Sequence, residues 1–475
     1  MNRLKYISII GILLLVVFTA CEDFLYQEPK LAQTNELTLS TFDGIDKSVA
    51  GAYSPLYSAN WYGRYLPVAA DLKGGNAKLS PISSGRFTTE YLWNNLPDAT
   101  SNLWATAYIT IARVNNTLNA LEELDEVGIT EEQINSLKGE SYFLRGLAYF
   151  DLVRLYSQQY SSGADKLGVP VVVVTNIGTP ARNTVGEVYE RIIEDLEWAA
   201  DLLAKAPPTR TVNDKKAIAS NWAAKALLSR VHLYKEDWQK AADYATEVIE
   251  SGSFTIATAS EFATEEDGGI WGAKVGGAEI IFEVFGAEGN SSHANWDVIS
   301  YILSPEGYGD VGASMDLIDL YEEGDVRANL FTNTADHPND FWSIKYPGKE
   351  GNLREDNIPV LRISEMYLNR AEAISKGASI SDVTAADDIN IIRTNRGLAK
   401  ASSVNINDIY KERRKELCFE GHQLFDLARS KRELTRTDYD GALNKDIPFP
   451  DYRWALPIPK EEIDANLNMV QNDGY

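Results

Sequence analysis

The sequence contains few of the residues on which metal, redox or disulfide chemistry depends. Its 475 residues include two cysteines, Cys21 and Cys418, which lie far apart, so we expect no disulfide framework. The four histidines are not spaced as paired metal ligands and no H-E-x-x-H motif occurs, so we expect no catalytic zinc and no cofactor. Calcium prefers loop oxygens, which leave little trace in a sequence, so a structural calcium ion is compatible with it.

Positive charge is also scarce. The chain has 45 Lys and Arg against 69 Asp and Glu, a formal net charge of -24. Phosphate contacts need clustered Lys and Arg, so nucleic acid is not an expected partner. The same balance argues against electrostatic binding to an acidic membrane surface, whereas it is compatible with a neutral ligand.

Only one apolar run is long enough to be informative, and it lies at the amino terminus. Residues 7–18 are apolar and follow Arg3 and Lys5, but a bilayer span needs about 20 residues. This pattern predicts a signal peptide over residues 1–20. It ends in Phe18-Thr19-Ala20-Cys21, which resembles a lipobox, so Cys21 is the predicted lipidation site and residues 21–39 the predicted lipid anchor and tether. The alternative is an ordinary secretory signal beside an incidental cysteine.

Motifs that could carry catalysis are weak. Residues 307–312 spell G-x-G-x-x-G, but a turn precedes them and Asp310 would repel a phosphate, so no nucleotide site is expected. Glu412, Glu416 and Glu420 lie in a charged stretch with Arg413 and Arg414. Paired acids could hydrolyse a glycosidic bond, but charges three and four residues apart mainly form ion pairs along and between helices. We therefore predict that the protein is not an enzyme.

Helical periodicity dominates the chain outside one stretch. Apolar residues recur at three- and four-residue steps over residues 102–124, and Thr130 with Gln133 and Thr184 with Glu187 form predicted capping boxes. Residues 219–234 and 238–251 predict a helical hairpin whose turn resembles that of a tetratricopeptide repeat. The fold class is therefore mainly α: a scaffold of tetratricopeptide-like helix pairs.

The predicted organisation after the tether has two parts. Residues 40–254 form an N-terminal helical part and residues 255–475 a C-terminal part. Within the latter, 255–357 is irregular with short strands, 358–430 is helical and 431–475 is a tail. A long irregular stretch in a compact protein is usually functional, so we expect 255–357 to face the ligand.

Four segments resemble signatures of the SusD/RagB family. They are Leu361–Ala373; Glu412–His422 with Phe425–Arg429; Leu456–Ile463 with Asn466 and Gln471–Tyr475; and Leu144-Arg145 with Tyr149–Tyr156. The resemblance implies a tetratricopeptide-like lid on a SusC-like TonB-dependent transporter, lipid-anchored at the surface of the cell outer membrane. It implies a protein that holds an oligosaccharide, or in some members a peptide, and does not cut it. A lid without its own ligand and a glycoside hydrolase are the other readings.

Loop-borne aromatic side chains are the candidate ligand platform, because sugar rings stack on aromatic faces. The predicted glycan-binding residues are Trp93, Asn94, Trp296, Tyr301 and Trp342. Further candidates are Trp61, Tyr62, Tyr65, His293, Asn295 and Phe341. By contrast, Trp198, Trp222, Trp238 and Trp454 are predicted to be core residues.

Overall fold

The structure is a computed structural model that describes residues 38–99, 102–210, 212, 214–263, 269–272, 277–287 and 296–475. The predicted signal peptide, Cys21 and nearly all of the tether lie outside these residues, as do His293 and Asn295. In the part of the chain that the structure describes, no helix has the length and apolar character that crossing a membrane requires.

The described chain is mainly helical, with a few short strands. The helices are α1 Phe42–Tyr53, α2 Tyr65–Gly74, α3 Thr88–Tyr91, α4 Leu103–Glu123, α5 Glu131–Tyr156, α6 Val185–Lys205, α7 Asn221–Tyr234, α8 Trp238–Glu250, α9 Ala259–Phe262, α10 Ile299–Leu303, α11 Met315–Ile318, α12 Ile363–Ser375, α13 Ala385–Asn395, α14 Ile406–Leu417, α15 Gln423–Arg429 and α16 Lys460–Ala465. The strands are β1 Ala77–Leu79, β2 Ile280–Val284, β3 Val311–Ala313, β4 Phe331–Thr332, β5 Trp342–Ser343 and β6 Ile358–Arg362.

The starts of the long helices follow the capping chemistry of the sequence. Thr130 accepts a hydrogen bond from the Gln133 amide and Thr184 accepts one from the Glu187 amide, and both capping boxes are complete. Such caps satisfy amide groups that have no partner inside the helix, and each stabilises its helix by about 1 kcal/mol. The predicted boxes, and the helix predicted over residues 102–124, are confirmed.

Successive long helices pack as pairs. The main pairs are α4 with α5, α5 with α6, α7 with α8, and α12 with α13, and α8 also packs on α12. In the α7–α8 hairpin, Ala241 and Ala245 are fully buried, and the Ser229 hydroxyl donates to the Ala241 carbonyl at 2.9 Å. Small side chains let the helices approach, so the predicted tetratricopeptide-like scaffold is confirmed.

The region between residues 255 and 357 has only short elements in its described parts. Its strands form two-stranded antiparallel sheets: β3 pairs with β1 from the N-terminal part, β2 pairs with β6, which begins just after this region, and β4 pairs with β5. The main hydrophobic core nevertheless runs from Ala52 to Met469 and includes Phe282 and Val311, so this region is packed onto the helical scaffold.

The charged C-terminal motif is buried as a network of ion pairs. Glu416 accepts from Arg362 and Arg396 at 2.7 Å each, and Arg327 lies 3.1 Å from its second carboxylate oxygen. Arg362 also pairs with Glu420 at 2.7 Å. The predicted ion pairs are confirmed for the acids of this motif, because Glu416 and Glu420 each meet buried arginines.

Candidate ligand-binding surface

Three aromatic side chains form a continuous row on the surface of the irregular region. The ring centroids of Trp296 and Tyr301 are 5.1 Å apart and those of Tyr301 and Tyr308 are 5.5 Å apart. Trp296 is 45% exposed, Tyr308 is 36% exposed and Tyr301 is half-buried between them. We call these three residues the aromatic row. Exposed aromatic rings in line are unusual, since large aromatic side chains are mostly buried.

Backbone contacts fix the row in place. Helix α10 carries Tyr301, and its first amide, from Ile299, donates to the Gly63 carbonyl at 2.8 Å. The chain then turns back, and the Tyr308 amide donates to the Tyr301 carbonyl at 2.7 Å. Gly307 makes this return possible, because a Cβ at this position would lie only 2.6 Å from the Tyr301 carbonyl oxygen.

Arginine side chains flank both ends of the row. The Arg354 guanidinium carbon lies 3.8 Å from the centroid of the Trp296 ring, and the Arg86 carbon lies 4.1 Å from that of Tyr308. The Ser300 hydroxyl donates to the Leu353 carbonyl at 2.7 Å, which ties the Arg354 loop to α10. Each cation–π contact is worth about 0.5–1 kcal/mol at an exposed site, so the guanidinium groups hold the ring orientations.

A buried carboxylate anchors Arg86. Asp310 is fully buried, accepts from Arg86 at 3.0 Å and accepts from the Ser84 amide at 2.5 Å. At the other end, Arg64 forms an ion pair with Asp297, the neighbour of Trp296, and lies 5.5 Å from the Phe87 ring. The loop before α3 and the start of α2 therefore border the row.

The side chains of this surface are suited to hold a ligand through stacking and hydrogen bonds. Aromatic faces suit flat apolar surfaces, and guanidinium groups donate hydrogen bonds to hydroxyl or carboxylate oxygens. Among the residues that the structure describes, no group of three His, Cys, Asp or Glu side chains could hold a metal ion.

Two of the predicted platform residues lie in the core instead. Trp93 is 2% exposed and packs edge-on against Trp454 at 4.8 Å, and its indole N–H donates to the Lys73 carbonyl at 3.1 Å. Trp342 is fully buried, and its indole N–H donates to the Gly309 carbonyl at 2.9 Å. These two assignments are corrected, because a buried ring with a satisfied N–H presents no face to a ligand. Trp342 instead supports the turn that carries Tyr308.

The structure brings together only two of the predicted residues. Trp296 and Tyr301 are in contact, whereas Asn94 is exposed beside buried Trp93, and no hydrogen bond in the described parts joins it to the row. Among the further candidates, Trp61, Tyr62 and Tyr65 are buried and Phe341 is half-buried. Among the predicted core residues, Trp454 is buried, Trp222 and Trp238 are half-buried, and Trp198 is 41% exposed, so its assignment to the core is wrong.

Sequence reasoning missed Tyr308 and both flanking arginines, Arg86 and Arg354. Tyr308 lies within the G-x-G-x-x-G stretch that does not bind a nucleotide. An aromatic residue between two glycines, outside any apolar periodicity, is the signal that could have indicated it. The arginines come from loops distant in sequence, so no local pattern connects them with the row.

The fold and the aromatic row together define a class of protein, in which a scaffold of helix pairs presents an exposed aromatic surface. Two family models match the chain, one described as starch-binding associating with outer membrane over residues 23–233, the other as SusD family over residues 339–475. The solved structure of a putative sugar binding protein from Bacteroides vulgatus is 30% identical, covers 92% of this chain and 99% of that chain, and gives a TM-score of 0.81. The chain therefore belongs to the SusD family.

The chain is also similar to three other proteins. A SusD-like protein from Bacteroides ovatus is 24% identical over 97% of this chain and 88% of that protein. The starch-binding protein SusD from Bacteroides thetaiotaomicron is 31% identical over 27% of this chain and 23% of that protein. Surface glycan-binding protein A from Bacteroides thetaiotaomicron, in complex with laminarihexaose, is 20% identical, covers 90% of this chain and 98% of that chain, and gives a TM-score of 0.73. This last likeness concerns the fold alone.

Proposed function

We propose that this chain is a surface glycan-binding lipoprotein that captures an oligosaccharide and delivers it to a SusC-like TonB-dependent transporter. The main support for glycan capture is the exposed aromatic row, which has an arginine at each end. Sugar rings offer flat C–H faces that stack on Trp296, Tyr301 and Tyr308, while the guanidinium groups reach hydroxyl oxygens. Membership of the SusD family and the description of one matching model as starch-binding support the same ligand class.

The proposed location is the surface of the outer membrane, with a lipid on Cys21 as the only membrane contact. The description of the N-terminal family model, associating with outer membrane, supports this location. We propose binding without cleavage, because the acids of the C-terminal motif are engaged in ion pairs. Glu412 pairs with Arg327 at 2.6 Å and Glu416 with Arg362 at 2.7 Å.

Glycan capture is tested with the full chain in detergent, by titration against a panel of oligosaccharides and peptides. Trp296→Ala should weaken binding of an oligosaccharide about tenfold, because a lost aromatic contact costs about 1–1.5 kcal/mol. Trp198→Ala is the matched control. Trp198 is similarly exposed, lies 4.9 Å from the Tyr142 ring and also has an arginine over its ring, but it belongs to α6.

The outcomes separate the alternatives. An oligosaccharide that binds and is recovered intact, with affinity reduced only by Trp296→Ala, supports capture at the row. Equal losses in Trp296→Ala and Trp198→Ala would contradict the assignment of the row. Binding of peptides alone would favour a RagB-like peptide lid. Absence of binding to every oligosaccharide and peptide tested would favour a lid without its own ligand. Delivery predicts that the chain co-purifies with a TonB-dependent barrel from the membrane.

A further inference from the structure

A second concave site lies between α14, α15 and the turn of residues 430–435. Its volume is about 650 Å³, and small-molecule sites typically measure about 300–1,000 Å³. Gly74 at the end of α2 and Leu320 complete its wall, and the residues that line it include none of the aromatic row. We call it the α14–α15 pocket.

Its charge is opposite to that of the whole chain. Lys411, Arg413, Arg414 and Arg432 line the pocket with only two acids, Asp426 and Glu433, whereas the chain carries a net charge of -24.

One of the two acids, Asp426, already has ion-pair partners. Asp426 accepts from Arg413 at 2.8 Å and from Arg429 at 2.9 Å. Burial would raise the pKa of Asp426, but these two guanidinium groups hold it below its ordinary value. Asp426 therefore stays charged and is satisfied by its own arginines. Among the residues that line the pocket, the positive charges of Lys411, Arg414 and Arg432 are then balanced only by the negative charge of Glu433.

Arg414 is the cation that most needs an anion. Its Nε donates to the Asn76 side-chain oxygen at 2.6 Å and its Nη2 to the Gly75 carbonyl at 3.1 Å, and both acceptors are neutral. Within the described residues, no carboxylate oxygen forms an ion pair with it. Burial lowers the pKa of Arg414, although Asp316 acts in the opposite direction. Arg414 is half-buried, and a guanidinium that is partly removed from water is destabilising unless an opposite charge compensates it.

The remaining lining suits a hydroxylated ligand. Asn407, Gln423, Ser430 and Thr435 supply neutral donors and acceptors, and the Arg432 guanidinium carbon lies 5.0 Å from the Tyr410 ring. Guanidinium groups bind carboxylate and sulfate groups strongly and with directional hydrogen bonds. We propose that the α14–α15 pocket is a second ligand site, which binds a small sugar that carries a carboxylate or sulfate group.

The test is calorimetric titration of the full chain in detergent with glucuronate, glucose 6-sulfate, glucose and inorganic sulfate. We expect at least one acidic sugar to bind in about the millimolar range or tighter, and glucose not to bind. Arg432→Gln should weaken that binding at least fivefold without changing the melting temperature, because Arg432 is exposed. Lys431→Gln is the matched control. It removes the same charge from the adjacent residue, whose ammonium lies 3.9 Å from Glu236 and which lines a different pocket.

Several results would overturn the proposal. Absence of binding by both acidic sugars would do so, as would equal losses in Arg432→Gln and Lys431→Gln, which would indicate a general charge effect. Inorganic sulfate that binds as tightly as the acidic sugars would refute a site for sugars. Loss of acidic-sugar binding in Trp296→Ala would assign that ligand to the aromatic row instead.

Discussion

Replacing Glu416 by glutamine tests whether the C-terminal motif stabilises the fold. Glu416 is fully buried, and its carboxylate faces three arginines: Arg362 and Arg396 at 2.7 Å and Arg327 at 3.1 Å. Glutamine keeps the shape, but it removes the charge and turns an N–H₂ group toward arginine donors. Loss of one partner from a buried ion pair costs about 3–5 kcal/mol. We expect a loss of stability of this size.

Urea unfolding followed by circular dichroism measures this change. The slope grows with chain size and should be roughly 5 kcal/mol per M of urea for a chain of this length, so the midpoint of Glu416→Gln should fall by about 0.6–1 M. Glu433→Gln is the control, since Glu433 is exposed and a surface change of this kind stays within about 0.5 kcal/mol. A Glu416→Gln protein with the midpoint of the wild type would refute the structural role of the motif.

The pH dependence gives the same test a second readout. Burial alone would raise the pKa of Glu416, but Arg396 and Arg362 hold it well below its ordinary value of 4.5. A carboxyl group with a lowered pKa contributes stability that is present above the pKa of the unfolded chain and is lost as the pH falls below it. The wild type should therefore lose more stability than Glu416→Gln when the pH is lowered below 4.5.

Two further changes probe the support of the aromatic row. Trp342→Phe removes both the N–H that reaches Gly309 and part of a fully buried ring, so we expect a loss of about 1–3 kcal/mol in urea unfolding. An unfolding midpoint equal to that of the wild type would contradict the support that Trp342 gives to this turn. Gly307→Ala places a Cβ 2.6 Å from the Tyr301 oxygen, so Tyr301 must move and oligosaccharide affinity should fall about threefold or more. Gly51→Ala, which meets no atom within 4 Å, is its control in the same titration, and equal affinities of the two variants would refute the argument.

The helical scaffold could be predicted because its information is local. Thr130 and Thr184 indicate helix starts, because their own side chains cap the first turn. The small residues Ala241 and Ala245 indicate a closely packed helix pair within a few residues of its turn. Each of these signals depends on neighbours in sequence, so no knowledge of the tertiary fold was needed.

The candidate site was only partly predictable, because exposure is set by distant segments. Trp93 and Trp342 both lie in loop-like sequence, yet Trp454 covers the first, and the turn at Gly309 accepts the indole hydrogen bond of the second. Trp296 resembles them in sequence but stays 45% exposed. Nothing local distinguishes these three tryptophans.

The buried ion network also constrains when the protein can fold. Its arginines come from positions as far apart as Arg327, Arg362 and Arg396, and they share Glu416, which follows all of them in the chain. A ribosome therefore completes most of the polypeptide before the carboxylate that these arginines need has been made. Contacts between such distant residues form slowly, since long loops must close first. The centre of the molecule can therefore be completed only once Glu416 has been made, and a chain that ends before Glu416 leaves Arg327, Arg362 and Arg396 without their shared carboxylate.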